Sequence, residues 1–265
     1  MLNDTTSRRT RRRFLATAAA GALGAFAGCG AAASSNDEPL GDVTVKGTNL
    51  VVTLASNDRI DELELRAPDG TPFLRQRIDP DTTRATLPLI ESSYTATPEH
   101  YRAGTNTVVA RRDGEPVDRH TVSLVPDVAI TGIRLTDDTS FNPTVVVENT
   151  GTAPTFLTYL GFENVPNPTP PATETTGMLE ERGAGVPLPP ASREVKSGSM
   201  PFAFRRLPSK ADTLSCPGKK SVAVTVRTVH GESVTEAFPV RFDGEIKNVL
   251  WLSHRCSNVT IQTDD

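Results

Sequence analysis

From Val43 to Val125 the chain consists of short β-prone runs separated by turn residues, and no segment there holds an apolar period of 3.6 residues for three turns. This excludes a helical bundle and an alternating α/β sheet, because a helix needs a sustained apolar stripe while a strand needs only four to eight suitable residues. Up to residue 126 the runs are VTVKG, LVVTLA, IDELELRA and TVVARR. IDELELRA is ambiguous, since Ile60, Leu63 and Leu65 could mark a helical turn, but Pro68 ends it. Pro68-Asp69-Gly70 and Asp113-Gly114 supply turns, the second joining TVVARR to PVDRHTVSL as a hairpin.

Pro126-Asp127 marks a boundary, after which VAITGIRLTD, PTVVVENTGTAPT and FLTYLGFEN resume the strand rhythm. PFAFRRL, KSVAVTVRTV and SVTEAFPVRF follow, the last two paired through His230-Gly231-Glu232, and residues 246–262 supply a final strand. The pattern predicts an all-β protein with two β-sandwich domains in tandem, 43–126 and 127–265. Asn149-Thr150-Gly151 is expected to turn the chain because Asn and Gly tolerate positive φ. Residues 164–192, rich in Pro, Thr, Gly and Glu, read as a long loop too polar to enter a core.

Two stretches resemble known sandwiches. Tyr101-Arg102-Ala103-Gly104, just before TVVARR, is similar to the tyrosine placement near the penultimate strand of immunoglobulin-like domains. PTVVVENTGTAPTFLTYLGFEN is similar to the start of extracellular CARDB-type sandwiches, in which a strand ends at Asn-x-Gly.

Residues 8–30, RRTRRRFLATAAAGALGAFAGCG, place a basic block before about fifteen mostly apolar residues and then a cysteine. That is the order of an export signal. The apolar part falls short of the roughly 20 residues that span a bilayer as a helix. Thr10 to Leu15 resembles the twin-arginine translocation signal, which implies recognition through Arg11, Arg12, Phe14 and Leu15. Phe26-Ala27-Gly28-Cys29 resembles a lipobox, which implies a lipid on Cys29. Together they resemble the signals of twin-arginine-exported surface lipoproteins, common in halophilic archaea. The resemblance implies a signal peptide over 1–28, a flexible tether over 29–42, folding before export, and anchoring to the outer face of the cytoplasmic membrane. Ordinary cleavage near Ala31 to Ala33, giving a free secreted protein, is the alternative.

Removing residues 1–28 takes away five arginines and one aspartate, leaving 23 basic and 31 acidic side chains and a net charge near −8. An acidic chain without a basic stripe is a poor partner for nucleic acid. With Cys29 assigned to the lipid, Cys216 and Cys256 remain as one pair for a disulfide in an oxidising compartment.

No G-x-S-x-G, H-E-x-x-H, phosphate-binding glycine loop or C-x-x-C occurs, and His100, His120, His230 and His254 are dispersed. The alternative chemistry is copper or zinc held by His230, His254 and Cys256, with Met178 or Met200 as an axial ligand. Asn57-Asp58 and Asp137-Asp138 lack the spacing of a calcium loop, and Asp69 reads as a turn residue. Asn258-Val259-Thr260 matches a glycosylation acceptor. The expectation is a non-catalytic, cofactor-free surface protein acting in binding, adhesion or scaffolding, held to the membrane by its lipid, with a surface protein or glycan as partner. The rivals are a metal or redox module and the solute-binding subunit of a transporter, which would need two α/β lobes.

Overall fold

The computed structural model describes residues 38–55, 59–91, 99–135, 142–170, 177–179, 185–198, 200–204, 215–250 and 253–262. Arg11, Arg12, Phe14, Leu15 and Cys29, with Asn57-Asp58 and Asp137-Asp138, lie outside them. Every regular element among the described residues is a strand, and the strands form four antiparallel sheets.

The first seven strands are β1 (Leu40–Lys46), β2 (Asn49–Leu54), β3 (Glu62–Arg66), β4 (Pro72–Arg77), β5 (Arg84–Pro88), β6 (Gly104–Arg112) and β7 (Glu115–Leu124). They pair as β1-β2-β5 and β4-β3-β6-β7. Alternation decides which faces meet. Leu50, Val52 and Leu54 of β2, with Ala85 and Leu87 of β5, pack against Leu63 and Leu65 of β3 and Val108 and Ala110 of β6. Each large aliphatic side chain buried this way stabilises the fold by roughly 1.5–3 kcal/mol over its exposed state. The β6–β7 hairpin turns on Asp113 (φ 53°) and Gly114 (φ 83°), the positive-φ pair that a two-residue turn of matching twist requires. Asp69 Oδ1 accepts from the Thr71 amide at 2.9 Å and its hydroxyl at 2.6 Å, closing the β3–β4 turn.

The remaining strands are β8 (Val128–Arg134), β9 (Thr144–Asn149), β10 (Thr155–Glu163), β11 (Val186–Leu188), β12 (Ser192–Lys196), β13 (Gly218–Thr228), β14 (Ser233–Leu250) and β15 (Ser253–Ile261). Their sheets are β12-β9-β8 and β11-β10-β13-β14-β15. The connectivity of the first sandwich recurs: the first, second and fifth strands share one sheet, the fourth, third, sixth and seventh the other, and β15 adds an eighth. Val145, Val147 and Val195 face Leu160, Phe162, Val224, Val226 and Phe242 across the second core. The Phe202 ring stands edge-on to Phe162 and Phe242, with centroids 6.3 and 5.4 Å away. The Cys216–Cys256 disulfide ties the approach to β13 to β15.

Four expectations are corrected. β1 begins at Leu40, inside the stretch read as tether, because Leu40 is buried and pairs with Leu54. Residues 164–192 are not merely a loop: they contain β11, and Val165, Met178, Leu179, Val186 and Leu188 enter the second core. In PFAFRRL, residues 201–203 form turns that insert Phe202 into the core, and Phe204 makes an isolated bridge to His254. Residues 246–250 extend β14, and the final strand starts at Ser253.

Residues 36–265 form one compact unit, and its buried apolar side chains fall into two clusters. Ala153 and Phe156 leave the second sandwich to join the cluster of the first. The cores therefore meet at a junction.

Candidate functional site

The junction is built from the ends of strands, where both sheets run out and backbone groups need partners. Between β7 and β8 the connection is only Val125, Pro126 and Asp127. Asn149, at the end of β9, holds it. Its Oδ1 accepts from the amides of Asp127 and Gly151, both at 3.1 Å, and its Nδ2 donates to the carbonyls of Ala153 at 2.9 Å and Leu188 at 3.2 Å. All four hydrogen-bonding positions of this buried amide are filled.

Gly151 has a different reason from the one its motif suggests. Neither it nor Asn149 has positive φ. A Cβ at Gly151 would lie 2.3 Å from the Val125 carbonyl oxygen and 2.5 Å from the Asp127 amide, so glycine is required by close backbone approach. Thr152 seals the same crossing: its hydroxyl donates to the Ser123 carbonyl at 2.7 Å and accepts from the Val125 amide at 3.0 Å.

Tyr101 sits where its motif predicts, just ahead of β6, but its hydroxyl bonds elsewhere. It donates to the Pro154 carbonyl of the second sandwich at 2.8 Å, not to nearby backbone of its own domain. The side chain is fully buried, and burial holds the phenol far above its ordinary pKa. His230 follows from the β13–β14 turn. Its Nε2 lies 3.1 Å from the Tyr101 carbonyl, which can only accept, so Nε2 carries the proton and Nδ1 accepts from the Thr155 hydroxyl at 2.9 Å. The His100 ring stands edge-on at 5.0 Å. Burial, with the neighbouring His100, pushes the His230 pKa down to about 4. Burial likewise raises the Glu232 carboxyl, which accepts from the Val128 amide and lies near Asp127.

His100 also helps line a cavity of about 420 Å³ with Ala67, Thr71, Pro72, Phe73, Glu99 and Arg102. Arg102 pairs with Asp69 beside it.

A second charged arrangement lies on the outer face of the β4-β3-β6-β7 sheet. Glu64 has no side-chain exposure, yet it faces away from the core side chains Leu63 and Leu65. Arg66 Nε lies 2.7 Å from its Oε1, and Arg111 Nε and Arg75 Nη2 lie 2.8 and 3.6 Å from its Oε2. Burial alone would raise this carboxyl, but the hydrogen bonds and charges of Arg111 and Arg66 outweigh it and hold the pKa below the ordinary value.

The structure does not bring the candidate metal ligands together. Cys256 is consumed by its bond to Cys216, and His230 lies at the junction. His254 pairs with Asn248, fifteen residues along β14 from Ser233 or roughly 50 Å of strand path. Among the described residues no group of three His, Cys, Asp or Glu side chains could hold a metal. Met178 is buried in the core. Asn258 is exposed on β15, paired with Asp243.

No family model matches the chain, and no curated protein does. Among solved structures, a glycosyl hydrolase family 2 (GH2) member from Bacteroides cellulosilyticus is 11% identical with a TM-score of 0.22, covering 73% of this chain and 23% of that one. An exo-chitosanase from Amycolatopsis orientalis is 14% identical with a TM-score of 0.23, covering 76% and 26%. This chain spans about a quarter of those proteins, and likeness at that level carries no argument about activity.

Proposed function

We propose that this chain is a lipid-anchored cell-surface protein that works by binding, adhesion or scaffolding, its two immunoglobulin-like sandwiches acting as one rigid body. The observation that carries the reading is the junction. Domains that move independently are joined by exposed linkers crossed by few contacts. Here a three-residue connection is clasped by Asn149 and Thr152, and Tyr101 and His230 bond across it. Such a build suits a protein that holds a surface at a fixed orientation. What supports the location is the sequence of residues 8–30, with Arg11 and Arg12 for export and Cys29 for the lipid.

The reading needs no cofactor. The metal alternative loses its thiolate ligand to the disulfide. A transporter's solute-binding subunit would need α/β lobes, and the described residues form only sheets. Spin labels on Thr86→Cys in β5 and Glu236→Cys in β14, both exposed positions, test the rigid body by pulsed dipolar distance measurement. One narrow distance distribution is expected. A broad one would show that the sandwiches reorient and would remove the basis for a rigid scaffold.

A further inference from the structure

We propose that the outer face of the β4-β3-β6-β7 sheet docks on anionic lipid headgroups, laying the first sandwich on the membrane to which Cys29 tethers it. The inference rests on the lipid-anchor reading above. Strand register defines the face, because directly paired residues point to the same side. One row across the sheet is Arg75, Glu64, Val109 and Arg119, and the next is Arg77, Glu62 and Arg111. Arg66 lies two residues beyond Glu64 on the same side. The face thus carries five arginines and two glutamates, a net charge of +3 on a mature chain whose net charge is near −8.

Glu64 is fully buried beneath Arg66, Arg75 and Arg111, whose side chains are 34%, 55% and 16% exposed. The carboxylate thus acts as a fixed counter-ion underneath; Arg66 and Arg111 are held further by the carbonyls of Gly70 and Gly114, and the more exposed guanidinium of Arg75 is the one presented to an anion from above. No lysine stands among the five cations. Guanidinium forks suit the paired oxygens of a phosphodiester, where an ammonium acts only as a point charge.

The occupant is argued from the way the chain enters the fold. The Leu40 amide donates to Asp118 Oδ2 on β7, an edge strand of this sheet, at 2.9 Å. Only ten residues, 30–39, lie between Cys29 and Leu40, a reach of at most about 40 Å. The segment that carries Cys29 therefore joins the fold at an edge strand of the cationic sheet. A two-chain lipid is the expectation at Cys29, because a single acyl chain anchors only marginally, and a basic patch is a recognised signal that acts beside a lipid.

The test uses the full mature chain with Cys29→Ser, so that no lipid contributes. It is sedimented with vesicles of phosphatidylcholine alone and with phosphatidylcholine containing about one part in three of phosphatidylglycerol. Binding is expected only to the anionic vesicles. Arg75→Gln with Arg77→Gln should lower partition by about fivefold per arginine, roughly 25-fold together. Lys46→Gln with Arg84→Gln, exposed on β1 and β5 of the opposite sheet, changes net charge equally and should leave binding within about twofold. Equal affinity for both vesicle types, no binding to either, or equal loss in the two double variants would overturn the proposal. So would retention on dextran sulfate without vesicle binding, which would assign the face to a polysaccharide. A negative result leaves the anchor standing, because lipid on Cys29 is read separately by mass.

Discussion

Asn149 offers the sharpest perturbation of the junction. Replacing it by alanine strands two acceptors in buried surroundings, the carbonyls of Ala153 and Leu188, and two part-buried donors, the amides of Asp127 and Gly151. An unsatisfied buried polar group costs about 1–3 kcal/mol, and water can reach the two donors, so a total near 3–4 kcal/mol is expected. For a body of this size each kcal/mol lowers Tm by about 2–4 °C, which places the loss near 10 °C. Asn149→Asp separates geometry from mere size. It keeps both accepted bonds but puts a carboxylate oxygen where Nδ2 donates to two carbonyls, so at pH 7 it should be at least as destabilising as alanine. Acidification should relieve it, because a protonated oxygen can donate to one of those carbonyls. Calorimetry of the three proteins at pH 7 and pH 5 reads all of this. An Asn149→Ala loss below about 1 kcal/mol, or an Asn149→Asp protein as stable as wild type at pH 7, would refute the clasp.

His230 predicts a pH dependence with a definite sign. Its folded pKa of about 4 lies below the ordinary 6.5, so the unfolded chain binds the proton more readily, and stability present above pH 6.5 is lost as pH falls towards 4. With solvent screening at the partly exposed ring, the difference is worth about 1–2 kcal/mol. Urea unfolding at pH 7 and pH 4.5 should show that difference in wild type and a smaller one in His230→Gln. The Cys216–Cys256 bond closes a separation of 40 residues, worth roughly 4 kcal/mol of unfolded-chain entropy. Reductant should therefore lower the melting temperature, and a chelator should leave it unchanged.

The strands were legible because a two-residue period survives without knowledge of partners. Even IDELELRA, with its helical hint, forms β3 where Pro68 and the alternation of Leu63 and Leu65 direct it. Asp113-Gly114 was legible because few pairs take positive φ twice. Tertiary partners were not legible. Glu64 reads as an ordinary solvent-facing charge, and only the register that sets Arg75 beside it and Arg111 one row away buries it. Tyr101 announces a corner, but its acceptor lies 53 residues on. The Asn-x-Gly motif marks a critical place, but not through positive φ, since an amide's four bonds and a close backbone crossing leave no local signature in φ. In residues 164–192 polar composition hid the few apolar residues, Met178 and Leu179 among them, that fill the core.

The proposed lipid at Cys29 is read in the mass of the mature N-terminal peptide. The peptide is taken from membranes of cells expressing the full chain. A chain beginning at Cys29 and carrying a thioether-linked lipid is the predicted result. An unmodified N-terminus, whether at Met1 or near Ala31 to Ala33, would contradict the anchor and with it the proposed place of the protein.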